Sequence, residues 1–177
     1  MQPQRPSLLE IVLKTIVVHT VTYFLLGVIS FAFFDYATLY SGPGVAQFLR
    51  PTSDPLVMAG PLFQPIRGLL LGVVLYLLRE PFFARGKGWL TLWATLVVVG
   101  ILSPYVAAPG SLEGLIYTTV PLSFHLTSLP EVVLQTLLFS VVLFYWMNHP
   151  QKKWLSWLLA ILFFLMLLLP ALGVLLS

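Results

Sequence analysis

Few side chains in this chain could do chemistry, and most of them fall in one stretch. Between Pro109 and Glu131 lie Glu113, Tyr117, His125 and Glu131. A histidine with carboxylates near it holds the parts of a general acid–base device: the imidazole exchanges a proton near neutral pH and the carboxylate orients it. His125, Glu113 and Glu131 are therefore the candidate catalytic residues. The stretch matches no metal motif, because HExxH is absent and the other histidines, His19 and His149, lie elsewhere, so no metal site is assigned. Each residue also has a simpler role. Glu131 closes the pattern Ser128-Leu-Pro-Glu131, a capping box at a helix start, and His125 suits an interfacial imidazole bonded to water or backbone.

Arg67 points to binding. It sits near the start of an apolar run, where the helix dipole disfavours a cation, and a charge at membrane depth costs free energy unless paired or solvated. Its roles are to hold an anionic group, to pair with Asp35, Glu113 or Glu131, or to snorkel outward to lipid phosphates. Gln64, Gln135, Tyr105 and Tyr117 are the polar residues expected beside it in a ligand site. His19, inside the first apolar run, is expected to bond Gln135, Ser140 or a threonine on a neighbouring helix; proton relay or cofactor ligation is the alternative. A haem pair would need a second intramembrane histidine, so no cofactor is assigned. The absence of cysteine excludes thiolate nucleophiles, disulfides and Fe–S clusters. No G-x-S-x-G elbow or glycine-rich phosphate loop occurs.

The elements that must position these residues are set by hydropathy. Charged residues are 8% of the 177-residue sequence and apolar ones 59%, with a mean hydropathy of +0.97. Five apolar runs can be read, 8–34, 62–83, 89–108, 131–147 and 154–176. A spanning helix needs about 20 such residues. The fold expected is an all-α integral membrane bundle of five transmembrane helices in one domain, with no separate soluble domain. Arg5, Lys14, Arg79, Arg85, Lys87, Lys152 and Lys153 fall on one side of the alternating runs, and only Arg50 and Arg67 on the other. The positive-inside rule places the N-terminus in the cytoplasm and the C-terminus outside. The basic residues are scattered between helices, so the net charge of +3 does not indicate nucleic acid. The run after the short polar N-terminus is too long for a signal-peptide core and is read as a retained helix.

Local signals refine the runs. Ser7-Leu-Leu-Glu10 is a capping box, and Glu10 and Lys14 stand at the favourable i,i+4 spacing. Thr15, His19, Thr22 and Ser30 share a helix face that should turn toward other helices. Gly44 to Arg50 is expected as a short interfacial helix, with Val45, Phe48 and Leu49 in the headgroups. Gly68 and Gly72 form a small-xxx-small pair, suited to a close helix contact or to an oligomer. Leu69–Leu78 echoes Leu137–Trp146, the signature of a parallel repeat of two hairpins that would relate Arg67 to Gln135.

Three function classes follow. The first is a non-catalytic binding protein or accessory subunit, holding a lipid or amphipathic ligand at a polar site on the extracytoplasmic side. The second is an intramembrane enzyme acting on a lipid-linked substrate, with His125 as base, Glu113 or Glu131 orienting it and Arg67 holding a phosphate or carboxylate. The third is a small transporter. The partners expected are membrane lipids and either a second membrane subunit or another copy of the chain, in a cell inner or plasma membrane.

Overall fold

The structure, a computed structural model, describes residues 6–83 and 86–176. Arg5 and Arg85, two of the seven cations that orient the chain, lie outside the described residues. All regular structure among the described residues is helical. The first helix, α1 (Leu8–Phe33), begins as its sequence predicts: Ser7 Oγ accepts the Glu10 N–H at 3.2 Å, and Lys14 Nζ meets Glu10 at 2.7 Å. Two short helices, α2 (Tyr36–Ser41) and α3 (Pro55–Met58), and a 3-10 turn (Gly60–Phe63) lead into α4 (Gln64–Leu77) and α5 (Arg79–Phe83). Then come α6 (Gly88–Thr95), continuing as a π-helix over Leu96–Leu102, and α7 (Leu112–Tyr117), α8 (Leu122–Asn148) and α9 (Lys153–Leu176).

Among the described residues, four segments are long and apolar enough to cross a bilayer: Leu8–Phe33, Gly60–Leu77, Leu122–Asn148 and Lys153–Leu175. Large apolar side chains such as Leu9, Phe33, Leu77 and Leu175 face outward, as on a bundle whose solvent is lipid. These helices fit a multi-pass, membrane-embedded protein. The third run is shorter. Gly88–Leu102 spans about 22 Å at 1.5 Å per residue and stops well before residue 108. Pro104 disfavours helical backbone at the residue before it. The π-helical turn closes accordingly, with the Ser103 N–H donating to Val98 O at 2.9 Å.

Three other boundaries move. The second run breaks at Leu77, and α5 carries residues 79–83 as a separate turn. The fourth helix starts at Leu122, not Glu131, so Pro130 lies inside it. A proline removes one helix hydrogen bond; nearby, the Thr127 and Ser128 hydroxyls donate to the Ser123 and His125 carbonyls, the kind of side-chain bonding that accompanies prolines in membrane helices. Ser128 is thus interior and Glu131 is no cap. Gly44 to Arg50 forms turns rather than a helix, and Val45 is buried against the protein.

Packing fixes directions. A Cβ on Gly68 would lie 2.6 Å from Ile16 Cα, and one on Gly72 2.8 Å from Val12 Cα, so α4 runs antiparallel to α1 in close contact. This is the most extensive helix interface. It uses the small-xxx-small pair within the chain, which removes that pair as an oligomer surface. Lys14 reaches the Trp146 carbonyl and His19 the Phe139 ring, so α8 also runs antiparallel to α1. Trp93 Nε1 donates to Val133 O, and Gly88 lies against Phe144, so α6 opposes α8. The polar face of α1 turns inward: Thr15, His19, Thr22 and Ser30 are all buried.

Candidate functional site

A cavity of about 250 Å³ opens between α1, α4, the π-helical segment and α8. His19 of α1, Arg67 and Leu71 of α4, and Gln135, Thr136 and Phe139 of α8 line it, with Gly100, Ile101 and Pro109 closing it. Among the described residues, Arg67 is the one charged residue on its wall.

Phe139 and Gln64 position His19. It is buried, and its ring meets Phe139 edge-on at 5.9 Å. Its Nε2 lies 3.1 Å from Gln64 Oε1, and Gln64 Nε2 donates to Gly60 O at 3.1 Å. Because the Gln64 amide nitrogen is committed to Gly60, its oxygen must accept, so His19 Nε2 carries the proton. The partner of His19 is therefore Gln64, at the start of α4, and not Gln135, Ser140 or a threonine. Gln64 acts behind Arg67, as the anchor of the imidazole beside it.

Arg67 makes no hydrogen bond or ion pair among the described residues. Its three expected acidic partners are placed elsewhere. Asp35 caps α2, taking the Thr38 hydroxyl at 2.6 Å and the Thr38 N–H at 3.1 Å, which holds its carboxyl below the usual carboxylate range. Glu131 accepts from the Tyr36 hydroxyl. Glu113 stands in the first turn of α7. Gln135, which lines the same cavity, makes no side-chain hydrogen bond among the described residues. The Thr136 hydroxyl donates to the Val132 and Val133 carbonyls at 3.0 Å. Tyr105 and Tyr117 are not on this wall; they are 102% and 73% exposed.

His125 sits in a different setting. It is 3% exposed, and its Nδ1 accepts the Gly110 N–H at 2.9 Å. The ring proton must then lie on Nε2, which is buried without a partner. A Cβ on Gly114 would fall 3.1 Å from His125 Cε1 and 2.0 Å from Ala108 O, so only glycine lets the chain pack over the ring. His125 pins the loop before α7 to α8. Neither Glu113 nor Glu131 hydrogen-bonds it, and the proton-accepting nitrogen of a general base is already occupied.

A further cavity, of about 300 Å³, was not legible in the sequence. Tyr23, Gly27, Phe31, Tyr36, Tyr40 and Glu131 are among its walls. Phe31, Tyr36 and Tyr40 also wall an adjoining space of about 330 Å³. The signal available was the aromatic density from Tyr23 to Tyr40, which alone reads as an interfacial belt. The acid that completes the site is 95 positions from Tyr36.

No protein-family model, curated protein or solved structure matches this chain.

Proposed function

We propose that the chain is a five-pass membrane protein, N-terminus in the cytoplasm and C-terminus outside, that binds an anionic amphiphile without transforming it. It resides in an inner or plasma membrane and acts as a lipid-binding or accessory subunit. One observation carries the reading: an unpaired arginine on the wall of an otherwise uncharged, largely apolar cavity. Arg67 supplies the charge, Gln135 supplies an amide donor, and the His19–Gln64 pair stiffens the wall between them. At about 30 Å³ per water, the cavity holds a carboxylate or phosphate headgroup and not a whole lipid. The acyl chain lies outside, along exposed Val98 and Val99.

Native mass spectrometry of the protein released gently from its own membrane tests this. The wild type is expected to retain an anionic lipid or fatty acid. Arg67→Ala is expected to lower its occupancy at least tenfold, equivalent to about 1.4 kcal/mol, with thermal stability unchanged. Equal retention by both proteins would sink the proposal.

A further inference from the structure

The second cavity has the opposite chemistry to the first. Glu131 is its carboxylate, set within α8 and nine residues in from the start of that helix. Tyr36 donates to Glu131 Oε2. Burial first, and then the Glu131 bond and charge, push the Tyr36 phenol above its usual range, so it stays a donor at neutral pH. Oε1 is turned toward Gly27, 4.0 Å from where a Cβ would sit. No cationic side chain pairs with Glu131 among the described residues, and none lines the cavity. A partly buried carboxylate with no cation paired to it favours a counter-cation.

The rings around it suit one kind of cation. Tyr36 and Tyr40 meet at 80° with centroids 5.6 Å apart, and Phe31 stacks on Tyr36 at 6.1 Å and 27°. The three rings line the cavity together with Glu131, so aromatic surface stands beside the carboxylate. A compact, strongly hydrated ammonium is better served by several oxygen acceptors. A methylated ammonium sheds its water easily and is bound by ring faces plus one negative charge. A volume of about 300 Å³ admits such a group.

We infer that the cleft formed by Tyr23, Phe31, Tyr36, Tyr40 and Glu131 is a binding site for a methylated ammonium group, as carried by choline or by a choline-headed lipid. The site stands on residues distinct from Arg67 and Gln135, so its success or failure is separable from that of the anion site.

The test is calorimetric titration of the full chain in phosphatidylglycerol nanodiscs with choline, and separately with 3,3-dimethylbutan-1-ol, its uncharged isostere. Choline should bind at least tenfold more tightly than the isostere. Glu131→Gln should weaken choline at least tenfold, and Tyr40→Leu should narrow the choline-to-isostere ratio. Arg67→Ala, outside this cleft, should leave choline binding in place. If Glu131→Gln fails to fold, Tyr40→Leu still decides. No choline binding, equal binding of choline and isostere, or a ratio unmoved by Tyr40→Leu would each overturn the inference. A repeat in phosphatidylcholine nanodiscs identifies the source. A tenfold weaker apparent choline affinity there means the lipid headgroup fills the site; an unchanged affinity means the site takes the free ion. Either result sustains the site.

Discussion

Gln64 carries more of the anion site than its type foretells. Its two amide ends bond His19 and Gly60, tying α1 to the start of α4 beside Arg67. Gln64→Leu would strand a buried imidazole N–H. Such losses cost about 1–3 kcal/mol in general, while interhelical bonds within membranes average about 0.6 and reach about 1.7 kcal/mol. The expected loss is therefore about 1 kcal/mol in reversible unfolding of the detergent-solubilised protein. His19→Leu in the Gln64→Leu background should then cost less than it does alone, because the stranded donor is removed with its partner. Additive losses would show that the bond contributes nothing. Thr15 and Thr20 argue the converse. Both hydroxyls are buried without partners, so Thr15→Val, which keeps the shape, should change stability by no more than about 0.5 kcal/mol. A clear loss would reveal a partner for that hydroxyl.

Helix contact is set by glycine where α1 meets α4. A Cβ at Gly68 would meet the Ile16 backbone, and backbone cannot rotate aside as a side chain can. Gly68→Ala should therefore destabilise the bundle by about 1–3 kcal/mol, as overpacking does, measured as a lower unfolding midpoint in detergent. Gly173→Ala, in α9 with nothing within 4 Å of the added carbon, should not. If the two variants behave alike, the helices are not in close contact. At this scale much was legible. Ser7, Glu10 and Lys14 are neighbours along the chain, so spacing alone decides their contacts, and the buried stripe of α1 follows from helical periodicity. Ser128-Leu-Pro-Glu131 misled because a proline at a first helical turn and one inside a membrane helix share the same local sequence. What separates them is whether nearby hydroxyls occupy the carbonyls, and that appears only once the turn from Leu122 is built. The Tyr36–Glu131 and His19–Gln64 bonds join residues 95 and 45 positions apart. No local rule could have paired them.

At the scale of the whole molecule, the short helix Gly88–Leu102 decides the number of crossings. Gly88–Leu102 covers about 22 Å against about 30 Å of hydrocarbon, and it packs antiparallel to α8. Trp93 sits level with Val133, and beyond Leu102 the loop at Gly110 reaches His125. Loop and helix together bring the chain to the far end of the bundle, with the buried His125 bond closing the gap that the helix leaves. The bilayer would then be crossed five times. The proposed direction rests on the asymmetry of Lys and Arg along the sequence: Lys14, Arg79, Lys87, Lys152 and Lys153 fall on one side of the alternating runs, Arg50 and Arg67 on the other. The chain has no cysteine, so single substitutions report cleanly. In intact cells an impermeant thiol reagent should label Ser53→Cys and Tyr117→Cys, and should reach Lys87→Cys and Gln151→Cys only after the membrane is opened. Labelling of Lys87→Cys and Gln151→Cys from outside, with Ser53→Cys and Tyr117→Cys protected, would invert the protein and place both cavities toward the cytoplasm. Labelling of Tyr117→Cys and Lys87→Cys from one and the same side would mean that the short helix does not cross, and that His125 holds a re-entrant segment.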